Sequence, residues 1–94
     1  MDLYFVYILK CRDGSYYTGI TNNLEQRLYE HNTEFKPASY TFKRRPVVLL
    51  FSLGFQDVNQ AINFEKQVKG WSRRKKEALI NDRWEDLPGL SKHS

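Results

Sequence analysis

The sequence predicts an α/β fold in which a three-stranded antiparallel sheet is flanked by about three helices. Two aromatic-rich runs, Tyr4-Phe5-Val6-Tyr7-Ile8-Leu9 and Tyr16-Tyr17-Thr18-Gly19-Ile20, are split by Arg12-Asp13-Gly14, which is hairpin-turn chemistry. A third apolar run extends from Val47 to Phe55 behind Pro46. Three segments with helical spacing follow the capping residues Asn22, Asp57 and Ser72. Ninety-four residues suit one domain, with a core at about 4–81 and a tail over 82–94.

The opening run is apolar at nearly every position, so it reads as a strand covered on both faces. A three-residue loop at Arg12, Asp13 and Gly14 would pair Leu9 with Tyr17 and Tyr7 with Gly19, with Gly14 in the left-handed conformation. Tyr7, Tyr17, Gly19 and Thr21 then share one face, because side chains alternate with period two. Gly19 opposite Tyr7 leaves room beside the phenol.

Asn22 reads as an N-cap, with Glu25 as its capping-box partner. In the helix that follows, Leu24 and Leu28 form an apolar stripe, flanked one turn apart by Arg27 and His31. Residues 32–45 read as a loop in which Lys36, Lys43, Arg44 and Arg45 alternate with Phe35, Tyr40 and Phe42. Such mixtures suit nucleic acid, with cations on phosphates and rings free to stack on bases, although one or more of these rings is expected to pin the loop to the core. The run from Val47 reads as a second buried strand that pairs with the first and leaves it in the middle.

Asp57 with Gln60 marks the next helix. With Ala61 as reference, Phe64, Val68 and Trp71 fall at about −60°, −20° and −80°, and Glu65 at about +40°, inside the apolar arc. A carboxylate facing the protein body needs a cation, a metal or hydrogen-bond donors. A salt bridge to an arginine such as Arg27 and a metal site are both open on spacing alone. Gly70 breaks this helix and Ser72 caps the last one. Four cations, Arg73 to Lys76, oppose that helix's dipole at its start, which makes most sense if an anion binds there.

The formal charge of +4 hides a segregation. Residues 1–35 carry 3 basic and 5 acidic groups, residues 36–76 carry 10 and 2, and residues 77–94 carry 2 and 4. A basic middle points to a polyanion. One cysteine, Cys11, excludes an internal disulfide and reads as a packing residue. With no membrane-length apolar run and no signal-peptide layout, a cytoplasmic location is expected. No paired carboxylates of a two-metal site, no Cys/His zinc cluster and no glycine-rich phosphate loop are present.

A triplet ending in Tyr (Phe5-Val6-Tyr7), a second reading Tyr17-Thr18-Gly19, then Arg27 and His31 in the next helix, resemble the GIY-YIG nuclease superfamily. The stretch Phe64 to Lys76 is similar to that of its small stand-alone bacterial members. The resemblance spans about residues 4–81 and implies a GIY-YIG-like fold and a metal-dependent endonuclease acting on DNA, with structured or single-stranded DNA in repair or recombination as the expected substrate. It implies Tyr7, Tyr17, Arg27, His31 and Glu65 as catalytic residues, with Glu65 holding one Mg2+ or Mn2+. Nucleic acid would lie on Lys36, Lys43, Arg44, Arg45, Lys69, Arg73, Arg74, Lys75 and Lys76, and a protein partner would supply targeting. Phe5 and Thr18 depart from the family triplets at packing or backbone-facing positions, and Ile20 stands where some branches carry a lysine. Two other readings are a non-catalytic nucleic-acid-binding module using the basic 36–76 surface, and a protein-interaction domain whose basic helix meets an acidic partner.

Overall fold

The structure, a computed structural model, describes residues 3–33 and 39–81. The readings at Phe35, Lys36 and the 82–94 tail lie outside them. Strands β1 (Tyr4–Lys10) and β2 (Tyr16–Thr21) form the hairpin, and β3 (Val48–Phe55) joins the other side of β1, giving the antiparallel order β2-β1-β3. The turn has the three-residue form. Cys11 N donates to Ser15 O at 2.8 Å, Gly14 N donates to Cys11 O at 2.9 Å, and Gly14 has a φ of +88°. Asp13 Oδ1 accepts from the Ser15 amide and hydroxyl, which stiffens the corner. Leu9 therefore pairs with Tyr17, and Tyr7 with Gly19.

The middle strand is buried on both faces. Tyr7, Leu9 and Cys11 pack with Val47 beneath Leu24 and Leu28. Ile8 packs on the opposite face with Val68 and Leu79, edged by Phe51, Phe64 and Trp71. Helix α1 (Leu24–Thr33) thus covers one face, while α2 (Val58–Lys69) and α3 (Arg73–Ile80) cover the other. Burial of Cys11 in the first cluster fits its packing role.

Two local expectations are corrected. The third run is not buried: β3 is an edge strand, and Val48 and Leu49 are 53% and 37% exposed. The register jumps from Ile8–Phe51 to Leu9–Leu49, so Leu50 is a bulge residue that re-aims the start of the strand. The α1 cap is Asn23 rather than Asn22. Its Oδ1 accepts from Gln26 N at 3.1 Å, while Thr21 Oγ1 holds the Asn23 amide at 3.1 Å. Because β2 runs on to Thr21, Asn22 falls in the bend and Glu25 loses its capping partner.

The other caps are as expected. Asp57 accepts from Asn59 N, Gly70 ends α2, and Ser72 accepts from Lys75 N. Between α1 and β3 the chain forms a short 3-10 turn, Phe42–Arg44. Asn32, in the last turn of α1, grips Val47 from both sides: its Oδ1 accepts from Val47 N at 2.8 Å and its Nδ2 donates to Val47 O at 3.2 Å. Among the described residues, no helix is long and apolar enough to cross a membrane.

Candidate active site

The pairing of Tyr7 with Gly19 sets the centre of the site. The Tyr7 hydroxyl lies directly against Gly19, in the space a Cβ would need. Tyr17, two residues back on β2, stands on the same face, its ring 6.4 Å from that of Tyr7. His31, in the last turn of α1, meets both rings edge-on, at 6.0 Å from Tyr7 and 5.1 Å from Tyr17. Its Nε2 is 3.0 Å from the Tyr7 hydroxyl and its Nδ1 is 3.0 Å from Thr41 Oγ1. Tyr40 stacks on Tyr17 at 5.8 Å, so the loop just before the 3-10 turn closes this side of the site.

Arg27 precedes His31 by one turn. It pairs with Glu30 at 3.0 Å. Burial pushes the Tyr7 pKa from 10.0 up to about 12. The neighbouring Arg27 guanidinium pulls it down, whereas Tyr17 and Glu65 add to the rise. Beside Arg27 a polar cleft of about 190 Å³ is lined by Thr21, Asn22, Asn23, Gln26, Arg27 and Glu30.

Glu65 comes from α2, which lies against all three strands. Its side chain is 12% exposed, as its place in the apolar arc requires, and its Oε2 is 2.9 Å from Lys69 Nζ. The cation that balances it is therefore Lys69, one turn on, and not Arg27. The hydrogen bond to Glu65 raises the Lys69 pKa, with the Glu65 and Tyr17 charges adding to it against the burial cost. Glu65 acts electrostatically on Tyr7, and Lys69 on Tyr17, so α2 belongs to the same electrostatic neighbourhood as the two phenols. Tyr7, Tyr17 and His31 are thus brought together from β1, β2 and α1 with Arg27 one turn away, while Glu65 on α2 reaches them through its charge on Tyr7.

The basic residues divide. Arg44 pairs with Asp13 at 3.1 Å and lies 4.1 Å over the Tyr40 ring. Arg45 lies over Phe42 and donates to the carbonyls of Phe42 and Asn32. Arg73 pairs with Glu77 and covers Tyr16, and Lys75 covers Trp71. The rings expected to be free for bases are therefore engaged inside the protein, Tyr40 by Tyr17 and Arg44, and Phe42 by Arg45. Lys43 and Arg74 are exposed, and Lys76 is half-buried, with a pKa lowered by that burial and by Arg73.

Thr41 and Asn32 carry no sequence signal. Both act through hydrogen bonds between the end of α1 and an irregular loop, which has no period to read. Among the described residues no cluster of three His, Cys, Asp or Glu side chains could cage a metal. A single inward carboxylate suits a hard divalent ion that keeps waters and takes further oxygens from a substrate phosphate.

The chain matches the GIY-YIG catalytic domain over residues 3–78 and belongs to that family, whose domains are nuclease-type and in general metal-dependent. Within it, the chain is similar to UPF0213 proteins of bacteria. It is 42% identical to one from Staphylococcus saprophyticus over 87% of this chain and 99% of that one. It is 43% identical to one from Staphylococcus haemolyticus over 88% of this chain and 100% of that one. The solution structure of a UPF0213 protein from Bacillus halodurans is 43% identical, with a TM-score of 0.55 over 86% of this chain and 84% of that one. A second solution structure, from E. faecalis, is 31% identical, with a TM-score of 0.59 over 85% and 84%.

Proposed function

We propose that the protein is a metal-dependent endonuclease that hydrolyses phosphodiester bonds in DNA, with structured or single-stranded DNA in repair or recombination as its substrate. The convergence of two phenols and an imidazole beside a guanidinium, with the inward Glu65 carboxylate acting on Tyr7 through its charge, carries this reading. Glu65 would hold one Mg2+ or Mn2+, which supplies Lewis-acid stabilisation of the phosphoryl group and the leaving oxygen. Arg27, at the edge of the polar cleft, contacts the scissile phosphate and offsets charge that develops in the transition state. A phenol with a pKa near 12 is protonated at neutral pH, so Tyr7 orients the attacking water as a hydrogen-bonding group. Tyr17 flanks that water, and His31 holds Tyr7 in place. Lys69, which pairs with Glu65, would be free to meet the phosphate where that carboxylate holds the ion, joined by Lys43, Arg74 and Lys76 along the backbone. A protein partner would direct the domain to its target.

Flap, branched and single-stranded DNA incubated with Mg2+ or Mn2+ test this. Wild-type protein should cleave at least one of them. Glu65→Gln and Arg27→Ala should lose roughly 10²- to 10³-fold in rate, the scale of losing one charge-stabilising group, while still shifting DNA in a binding assay. DNA binding without cleavage under either ion would overturn the enzyme and leave a nucleic-acid-binding module.

A further inference from the structure

We propose that Thr41 is a positioning residue: it fixes the tautomer of His31, so that Nε2 accepts the Tyr7 proton and holds the phenol in place. The inference rests on the nuclease reading for its functional consequence, but its geometry stands alone. Arg27, the nearby cation, is a donor only and offers the Tyr7 proton no acceptor. Tyr7 is 2% exposed, so its own proton must also find a partner, and His31 Nε2 lies 3.0 Å away. A nitrogen that accepts there leaves the imidazole proton on Nδ1. Thr41 Oγ1, itself 1% exposed, lies 3.0 Å from that nitrogen and accepts from it. The Thr41 proton then goes to Ser39 Oγ at 3.2 Å. The result is a one-way chain of donors from Tyr7 through His31 and Thr41 to Ser39. The opposite tautomer would direct Nε2–H at the phenol oxygen and leave the buried phenol proton without His31 as its acceptor.

Histidine ring 15N shifts in the full chain at about pH 8, where an unperturbed imidazole is neutral, read the tautomer without any substrate. His93, the other histidine, is assigned with His93→Gln. Wild type and Thr41→Ser should show the proton on Nδ1 of His31, and Thr41→Val should shift it toward Nε2. A wild-type Nε2–H signal would overturn the proposal, as would a Thr41→Val spectrum identical to wild type. Should Thr41→Val fail to fold, Thr41→Ala, which also lacks the hydroxyl, takes its place with the same expected and overturning results. In the cleavage assay, kcat should fall roughly 10- to 100-fold in Thr41→Val, the usual loss for an orienting partner, with KM unchanged and Thr41→Ser restored. No cleavage by wild type would sink the nuclease reading and leave the tautomer result intact.

Discussion

Gly19 is fixed by its neighbour across the hairpin. A methyl group there would overlap the hydroxyl and Cζ of Tyr7, a buried ring with nowhere to turn. Gly19→Ala should destabilise the protein by about 1–3 kcal/mol, the range for overpacking, measured by urea unfolding, and should also displace the phenol from His31. Tyr7 makes a second prediction. Its folded pKa, about 12, exceeds the ordinary 10.0, so the unfolded chain loses the phenol proton first and stability falls as pH rises from 10 to 12. Below that window the group contributes no pH dependence. Wild type should lose about 2–3 kcal/mol more than Tyr7→Phe across it, since each unit is worth about 1.4 kcal/mol. The placing of Tyr7 and Tyr17 on one face was legible, because strand parity and a turn residue determine it. The link from Glu65 to Lys69 lay within reach of helical spacing, four residues apart, yet Arg27 was the partner considered. Thr41 could not be read, since its bond to His31 depends on how an aperiodic loop folds back.

Among the elements, helix starts were readable where one polar residue stood before an apolar period, as at Asp57 and Ser72. They were not where two stood together. Asn22 and Asn23 are chemically equivalent caps, and only the length of β2 decides between them. Asn23→Ala should therefore cost about 1 kcal/mol and Asn22→Ala only a few tenths, compared by thermal or urea denaturation. The placing of β3 beside β1 was legible, but its apolar run reads as buried from composition, which does not show that the start of an edge strand stands open to solvent. The bulge at Leu50 is equally silent in the sequence, because it is set by pairing with β1.

At the scale of the molecule, the charge segregation is the property most directly tied to a nucleic-acid partner, but the cations are not equivalent. DNA affinity should fall linearly with salt on a log–log scale. Arg74→Ala should lower the slope by about 0.9, the value for one phosphate contact. Arg45→Ala should instead act on stability, because that guanidinium binds the carbonyls of Asn32 and Phe42. The fold class was legible because hairpin, edge strand and three helices each had a local signal. The way those elements lock together was not. The grip of Asn32 on Val47 ties the exit of α1 to the entrance of β3. That buckle is backed by others: Arg44 ties Tyr40 to Asp13 and to the Arg12 amide, and His31 holds Thr41. Loosening the Asn32 amide should therefore slacken the cover over the phenols without stripping it off, while the sheet stays whole.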